Sequence, residues 1–367
     1  MLSEILVDPS EFANREKAEK FCHDFISQSN RPKFLFGRNI YAKKILEQID
    51  VDGFVDDYAS EIDYLGKPIM KLEELPLGAM VLVLSGGRPM SALKRVNGQG
   101  FETLDYFAFL RFSGLDLTPV LFMDGHEIDY TENLDEYAWI YSKLADDKSR
   151  EQFVKLMNFK NTLDISHLEG FEWAEDRQYF EEFLELHESG EVFADVGSYD
   201  GFTSQTFASK CPEYSAIHIF EPYPENMVLV RNRLSTLDRV FFHPVGLSDR
   251  PAKMRMNPNG SQSTVETNGP VEIEVDRLSN VLDDRLTFIK MDIEGAEAEA
   301  LDGTRDLIVR DCPKLAISVY HKPGDFWRIP RQILSMHENY SIYLRHYTES
   351  IYETVIFFVP FRKNPNH

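Results

Sequence analysis

A strand, a glycine turn and the start of a helix, at residues 191–207, form the feature that most constrains the fold of this chain. Apolar residues dominate the segment 192–196, at Val192, Phe193, Ala194 and Val196, which is typical of a parallel strand covered on both faces. Gly197 and Gly201 bracket a turn, and helical spacing follows. In a doubly wound α/β sheet, such a turn lets a nucleotide-like ligand approach the backbone.

The glycine spacing in this turn differs from the dinucleotide pattern. That pattern needs three glycines as G-x-G-x-x-G, so that a helix N-terminus can receive a pyrophosphate. Here Asp195 and Asp200 accompany Gly197 and Gly201, and two carboxylates repel a phosphate. They suit a cationic, polyhydroxyl ligand such as S-adenosylmethionine, which has a sulfonium, an ammonium and a ribose. Residues 195–201 therefore resemble the first motif of class I methyltransferases.

Two later apolar segments also end in an acidic residue. The segment 216–221 ends at Glu221, about 20 residues beyond the turn, where such folds place a carboxylate that grips ribose hydroxyls. The segment 287–292 ends at Asp292, beside the crevice at the carboxyl ends of the strands. We therefore expect Glu221 to bind the cofactor and Asp292 to lie at the reaction centre.

Four motifs together resemble the FkbM family of methyltransferases. They are Asp-Val-Gly at 195–197, Phe-Glu-Pro-Tyr-Pro-Glu-Asn at 220–226, Lys-Met-Asp-Ile-Glu-Gly-Ala-Glu at 290–297 and Val-Tyr-His-Lys-Pro at 319–323. The resemblance covers roughly residues 190–360. It implies a class I (Rossmann-like) α/β domain with a seven-stranded mixed sheet, S-adenosyl-L-methionine as cofactor and O-methylation as the reaction.

The resemblance also implies which residues hold the cofactor. Asp195 is expected to hold the methionine ammonium, and Gly197 admits the cofactor because it has no Cβ. The full set of predicted cofactor contacts is Asp195, Gly197, Ser198, Asp200, Gly201, Glu221 and Asp292. Ser198 and Tyr199 stand where the family usually has Ala-Asn, so the tyrosine is expected to reshape the turn. Ser248 and Asp249 are a weaker hypothesis for an adenine contact, with a simple turn preferred.

Methyl transfer to a hydroxyl needs a group that receives or directs a proton. His321 follows the predicted strand 314–320 at the same edge of the sheet, and we predict that it acts as base or orients the acceptor. Asp292 is the second predicted catalytic residue, polarising the acceptor or steadying the sulfonium. His346 is a weaker candidate. No metal site is expected, because further Asp or Asn ligands are not evident near Asp292.

The segment 32–125 alternates strand and helix and predicts a second, small Rossmann-like domain. Its turn at Gly37, its Phe-Val-Asp-Asp at 54–57 and its Gly-Lys-Pro at 66–68 loosely resemble the nucleotide-sugar-binding domain of sugar acyltransferases. That resemblance implies a nucleotide sugar as partner, with Arg38 meeting a phosphate. The alternative is a structural domain without a ligand.

The domain organisation follows from these segments. We predict a helical arm at 1–31, the small domain at 32–125, a helical connector at 126–190 and the FkbM-like domain at 191–367. Within the last, strands are expected at 192–196, 216–221, 240–245, 286–292 and 314–320, and a closing antiparallel hairpin at 341–345 and 352–358. The segment 250–278 is expected to form a small β excursion or lid.

The overall charge narrows the possible partners. With 39 Lys and Arg against 61 Asp and Glu, the net charge is −22, which repels nucleic acid. The three cysteines lack metal or disulfide spacing, the N-terminus lacks the features of a signal peptide, and the apolar runs are too short to span a bilayer. We therefore expect a cytoplasmic protein without membrane or nucleic-acid partners; its oligomeric state stays open.

Two function classes remain. The first is a methyltransferase acting on a hydroxyl of a sugar, glycan or related small molecule. The alternative is a non-catalytic nucleotide-sugar-binding or scaffolding protein with a methyltransferase-like domain. A nicotinamide-dependent oxidoreductase is disfavoured because no G-x-G-x-x-G is present.

Overall fold

The computed structural model describes residues 6–27, 30–257, 264–265 and 269–361 of the chain. The chain forms two compact units, and each combines separate segments of sequence. The first unit contains residues 1–128, 152–173 and 347–352, and the second contains 129–151, 174–346 and 353–367. The predicted connector 126–190 thus contributes to both units, and the segment 347–352 belongs to the first.

The first unit is built on a six-stranded sheet. Its elements are α1 (Arg15–Ile26), β1 (Lys33–Phe36), α2 (Ile40–Leu46), β2 (Gly53–Val55), β3 (Asp63–Tyr64), β4 (Lys67–Met70), β5 (Met80–Val83), α3 (Pro89–Gly98), β6 (Glu102–Asp105) and α4 (Tyr106–Phe112). The strand order is β3-β4-β2-β1-β5-β6. All neighbours are parallel except β3 and β4. The small α/β domain expected from the sequence is therefore present.

Burial explains the sequence of the central strands in this unit. All four residues of β5 are buried, as are three of the four in β1. A strand with helices on both faces needs apolar side chains in both directions, so its sequence is continuously apolar rather than alternating. β1, β2 and β5 are strands of the alternating strand-helix pattern that the sequence shows within 32–125.

The second unit begins within the helices that follow. The helices α5 (His126–Glu132) and α7 (Asp147–Thr162) contribute residues to both units, and α6 (Leu134–Lys143) lies in the second. The remaining elements are β7 (Val192–Val196), α8 (Phe202–Lys210), β8 (Ala216–Phe220), α9 (Pro224–Arg233), β9 (Val240–His243), β10 (Gly246–Leu247), β11 (Ala252–Asn257), β12 (Thr264–Val265), β13 (Val271–Asp276), α10 (Leu278–Val281), β14 (Phe288–Met291), α11 (Glu297–Asp311), β15 (Lys314–Ser318), α12 (Asp325–Met336), β16 (Tyr340–His346) and β17 (Thr354–Pro360).

The main sheet of the second unit has seven strands in the order β16-β17-β15-β14-β7-β8-β9. β17 runs antiparallel to both of its neighbours, and the other pairings are parallel. The predicted seven-stranded mixed sheet, with its closing hairpin, is confirmed. Because β7 lies between β14 and β8, the carboxyl ends of these three strands meet at one edge, which places the turn after β7 beside the ends of its neighbours.

A four-stranded sheet, β10-β13-β11-β12, forms beside this fold. It contains the β excursion that the sequence places within 250–278, with a small apolar cluster around Met256, Ile273 and Val275. Within this predicted segment, residues 258–263 and 266–268 lie outside the described residues. Of the helices that the structure describes, none combines the length and the apolar character needed to cross a membrane. The cytoplasmic location stays a prediction.

We expect Gly197→Ala to be strongly destabilising. Gly197 has φ +80°, which a residue with a Cβ adopts at a cost, and a Cβ there would lie 1.9 Å from the carbonyl oxygen of Asp292. The expected loss of unfolding free energy is at least about 2 kcal/mol in urea titrations. Gly98→Ala is the control, since nothing lies within 4 Å of a Cβ on that residue. Equal stability of both variants would contradict this account.

A second prediction concerns acid stability. Arg345 in β16 is buried and donates hydrogen bonds to Asp146 Oδ2 at 2.6 Å and Ser149 Oγ at 2.8 Å. Burial opposes the charge on Asp146, but the hydrogen bonds from Arg345 and Ser149 prevail and lower the pKa of Asp146 from 3.8 to about 2. A lowered carboxyl pKa stabilises the fold above the unfolded-state value, and this contribution is lost as the pH falls from about 4 towards 2.

Asp146→Asn is therefore expected to destabilise the protein more at pH 6 than at pH 3. Urea unfolding at both pH values measures the difference. Asp147→Asn is the matched control, because Asp147 is the fully exposed neighbour. A loss of stability in Asp146→Asn that does not change with pH would show that the carboxylate charge is not responsible.

Candidate active site

The turn after β7 lies at the carboxyl edge of the seven-stranded sheet. Gly197 donates its amide to the carbonyl of Phe220, at the end of β8, at 3.0 Å. The Cβ position of Gly197 is in contact with the backbone of Asp292, directly after β14. Gly201, with φ +83°, precedes the first residue of α8. The structure thus brings the turn together with the ends of both neighbouring strands, as the motif spacing predicts.

Asp195 lies inside the protein beneath this turn and is fully buried. Its Oδ2 accepts a hydrogen bond from Ser204 Oγ at 2.6 Å, and its Oδ1 lies 3.3 Å from Lys290 Nζ. Lys290, also buried, donates to the carbonyl of Gly197 at 2.6 Å. These contacts give Asp195 a structural role in holding the turn. Its predicted contact with the methionine ammonium stays a prediction.

Glu221 holds the turn from the end of β8. Its Oε2 accepts the amide of Tyr199 at 3.0 Å, and its Oε1 accepts the amide of Tyr223 at 2.9 Å. Burial raises the pKa of Glu221, and these two backbone hydrogen bonds oppose the rise. Each carboxylate oxygen has two acceptor sites, so Glu221 keeps capacity for further donors such as ribose hydroxyls.

Three further residues of the turn are Asp200, Ser198 and Tyr199. Asp200 forms an ion pair with Arg233 of α9 at 2.6 Å and accepts the amide of Phe202 at the start of α8, so its charge is already partnered. Ser198 is buried, and its Oγ has no hydrogen-bond partner among the described residues. Tyr199, which departs from the family pattern, has a left-handed φ of 54° and is 44% exposed.

The second predicted group, Asp292 and His321, is brought together by the ends of β14 and β15. His321 Nε2 lies 3.5 Å from Asp292 Oδ1 and 3.5 Å from Glu294 Oε2, and Nδ1 lies 3.0 Å from Glu297 Oε1. Tyr179 donates its hydroxyl to Asp292 Oδ2 at 2.5 Å. A single buried imidazole is therefore in contact with three carboxylates.

The charges around His321 decide its protonation. Burial opposes the charged ring, but Glu297, Asp292 and Glu294 prevail and raise the pKa of His321 to about 10. Burial also raises the pKa of Glu294 to about 8. At neutral pH this arrangement keeps the proton on His321, which disfavours the predicted role as general base. The alternative prediction, that His321 orients the acceptor, does not need a free lone pair.

Several residues of the site were missed by the sequence analysis. Lys290, Glu294 and Glu297 lie within the quoted motif at 290–297, but no catalytic or binding role is predicted for them. Tyr179 lies in the predicted connector, far from Asp292 in sequence. His346, the weaker catalytic candidate, contacts Thr354 Oγ1 at 2.8 Å within the closing hairpin. Motif position could have pointed to the first three residues, whereas only the tertiary structure identifies Tyr179.

The first unit offers less to a phosphate than the sequence implies. Arg38 donates to Asp56 Oδ2 at 2.9 Å and to Glu61 Oε2 at 3.3 Å, so its guanidinium already has two carboxylate partners. At the N-terminus of α3, Ser91 N and Oγ both donate to the buried carboxylate of Glu349 at 3.1 Å. Carboxylates thus contact the predicted phosphate donor Arg38 and also the donors of Ser91. The nucleotide-sugar partner stays a prediction that these contacts do not favour.

A cavity also exists at the opposite, amino-terminal edge of the seven-stranded sheet, lined in part by Glu191, Thr287 and Lys314. There Glu191 Oε1 pairs with Lys314 Nζ at 2.9 Å and its Oε2 accepts a hydrogen bond from Thr287. These groups satisfy one another. Because ligands of open α/β sheets bind at the carboxyl edge, the turn at Gly197 is the better candidate site.

The sheet order and this turn define a class I (Rossmann-like) methyltransferase fold. Residues 195–349 match the family described as the Methyltransferase FkbM domain. The resemblance drawn from the sequence motifs is therefore confirmed for residues 195–349, which match that family. The resemblance of the N-terminal segment to sugar acyltransferases is not confirmed.

Two known proteins extend this comparison. The 2-O-methyltransferase NoeI of Sinorhizobium fredii (strain NBRC 101917 / NGR234) is 22% identical in an alignment 151 residues long. The match covers 34% of this chain and 62% of NoeI. The chain thus matches less than two thirds of that relative. The crystal structure of methyltransferase FkbM from Methylobacillus flagellatus KT matches 97% of this chain and 96% of its own, with a TM-score of 0.74 and 24% identity. That likeness shows a shared fold.

We expect Lys290→Met to destabilise the protein by about 3–5 kcal/mol, because it leaves the buried carboxylate of Asp195 without its cation. Adding Asp195→Asn to this variant is expected to recover part of the loss, since the uncompensated charge is then removed. Urea unfolding monitored by circular dichroism provides the measurement. As a control, Lys253→Met breaks an exposed pair with Glu272 and should cost less than about 1 kcal/mol. A similarly small loss for Lys290→Met would show that the buried pair does not stabilise the turn.

Proposed function

We propose that this protein is an S-adenosyl-L-methionine-dependent O-methyltransferase that acts on a hydroxyl of a sugar, glycan or related small molecule. The observation that carries the proposal is the turn at 197–199, which combines a glycine in contact with Asp292, a buried hydroxyl and the carboxylate of Glu221 within an FkbM domain. When bound, the cofactor supplies a methyl group on a positively charged sulfur.

The residues of the turn fit such a cofactor. Ser198 Oγ is a buried polar atom without a hydrogen-bond partner among the described residues, and a buried hydroxyl favours a partner. Glu221 retains acceptor capacity for vicinal hydroxyls. Gly197 lets a ligand approach the backbone, since it has no side chain. The carboxylates of Glu221 and Asp292 favour a cationic, ribose-containing ligand over a phosphate.

Only the chemical class of the methyl acceptor, a molecule with a hydroxyl group, is proposed. NoeI, whose name gives it as a 2-O-methyltransferase, supports transfer to an oxygen. The carboxylates of Asp292 and Glu294, partly exposed beside the turn, can accept hydrogen bonds from acceptor hydroxyls and so orient them. The net charge of −22 disfavours a nucleic-acid acceptor.

The three cysteines are free thiols, which supports the predicted cytoplasmic location.

The alternative, a non-catalytic binding or scaffolding protein, predicts that the turn has no working cofactor site. Its structural basis is that Asp195, Asp200 and Glu221 all have partners within the protein. Cofactor binding discriminates the two functions, because a scaffold does not require it.

Titration calorimetry with S-adenosylmethionine and S-adenosylhomocysteine tests the proposal. The wild-type chain is expected to bind both, and Glu221→Gln to bind them about tenfold to a hundredfold more weakly, since it loses the charge that strengthens hydrogen bonds to ribose. Glu225→Gln, at an exposed acid in the first turn of α9, is the matched control and should bind as the wild type does. Failure of the wild type to bind either compound would favour the scaffold.

A further inference from the structure

We propose that Asp292, Glu294 and His321 bind a divalent transition-metal cation at the carboxyl edge of β14, with Glu297 and Tyr179 orienting two of these ligands. The proposal departs from the sequence-based expectation of no metal site. That expectation considered only Asp or Asn as further ligands near Asp292. The additional ligands are Glu294, two residues later in the chain, and His321, which follows the neighbouring strand β15.

Two of the distances among these ligand groups fit a shared cation. His321 Nε2 lies 3.5 Å from Asp292 Oδ1 and 3.5 Å from Glu294 Oε2. These separations exceed an ordinary N–H···O hydrogen bond. They correspond instead to ligand atoms that each lie about 2.0–2.2 Å from one ion. Asp292 and His321 also belong, together with Glu297, to a group whose ligand atoms all lie within 4.8 Å of one another.

Neighbouring groups hold the other atoms of these ligands. Glu297 Oε1 faces Nδ1 of His321 at 3.0 Å, which assigns a proton to Nδ1 and leaves Nε2 turned towards Asp292 and Glu294. Tyr179 donates to Oδ2 of Asp292, so that Oδ1 is the oxygen facing Nε2. A carboxylate behind a histidine ligand and a donor behind a carboxylate ligand are the arrangement that orients metal ligands in proteins.

Two buried carboxylate oxygens of the cluster give a second reason to expect a bound cation. Glu297 is 1% exposed, and its Oε2 has no hydrogen-bond partner among the described residues. Glu294 Oε2, which faces His321 Nε2, is likewise buried without a hydrogen bond in the described part of the chain. Buried carboxylate oxygens are normally satisfied by a donor or a metal ion. The cluster therefore combines a ligand geometry with unsatisfied acceptors.

The donor set indicates the type of cation. One imidazole nitrogen and two carboxylate oxygens suit first-row divalent ions such as Mn²⁺ and Zn²⁺ better than Mg²⁺, which prefers oxygen alone. The side chains of Asp292 and Glu294 are 16% and 21% exposed, so an ion can reach them from solvent. Proton and metal compete for the same lone pair on His321, so binding of the ion releases a proton.

The catalytic role of this cation rests on the proposed function, although its binding does not. Beside the turn at Gly197, a divalent ion can hold a hydroxyl oxygen of the acceptor and lower the pKa of that hydroxyl. The acceptor proton then passes to solvent, and no side chain has to act as general base.

The test is binding of Mn²⁺ to the full chain after treatment with a chelator, measured by titration calorimetry. The wild type is expected to bind one Mn²⁺ per chain, and Asp292→Asn and Glu294→Gln to weaken binding by more than about tenfold. Glu297→Gln, which affects only orientation, is expected to weaken it by about 10- to 100-fold. Glu299→Gln, at an exposed acid on the same helix, is the control and should bind normally.

A spectroscopic measurement on the wild type keeps the test independent of how the variants fold. Bound Mn²⁺ is expected to show electron spin-echo modulation from a nitrogen ligand, which the carboxylates alone cannot produce. Absence of stoichiometric binding, absence of nitrogen coupling, or binding equal to wild type in Glu294→Gln would each overturn the proposal. Titration of the same samples with S-adenosylmethionine distinguishes failure of the metal proposal from failure of the proposed function. Cofactor binding without metal binding leaves the proposed function intact.

Discussion

The ion pair between Lys290 and Asp195 is the interaction on which the candidate site depends. Both groups are buried, on neighbouring strands, and the same ammonium reaches the carbonyl of Gly197. Two buried charges are stable only when they are paired and hydrogen-bonded, so the pair fixes β7 and β14 side by side in one register. The turn at Gly197 then contacts Asp292, which brings the predicted cofactor motif and the predicted reaction-centre residue together.

The second constraint is negative charge at the same edge. Asp292, Glu294 and Glu297 surround His321, and burial followed by the charge of Asp292 raises the pKa of Glu353 to about 7. Such a group of carboxylates is held together by a cationic imidazole, by the hydroxyl of Tyr179 or by a bound cation. The first two are present in the structure, and the third is the proposal made above.

The sequence predicted much of the fold because its signals are local. The apolar runs and glycine turns that mark β7, β8, β14 and β15 depend on burial within a parallel sheet, and such burial imposes continuous apolar segments. The two-unit organisation depends instead on packing between segments that are distant in sequence. No local pattern shows that residues 347–352 join the first unit, so the linear boundaries differ from the compact units.

By itself, the sequence determined the seven-stranded class I fold, the FkbM resemblance and the placement of Gly197, Glu221, Asp292 and His321 at one edge of the sheet. Periodicity marked the strands, and the FkbM resemblance implied the seven-stranded sheet. The rule that ligands bind at the carboxyl ends of parallel strands then placed the four residues at one edge. Tertiary structure decided the partners of each charge. Only packing shows that Lys290 neutralises Asp195 and that three carboxylates surround His321, because the energies of buried charges depend on neighbours that sequence separation does not reveal.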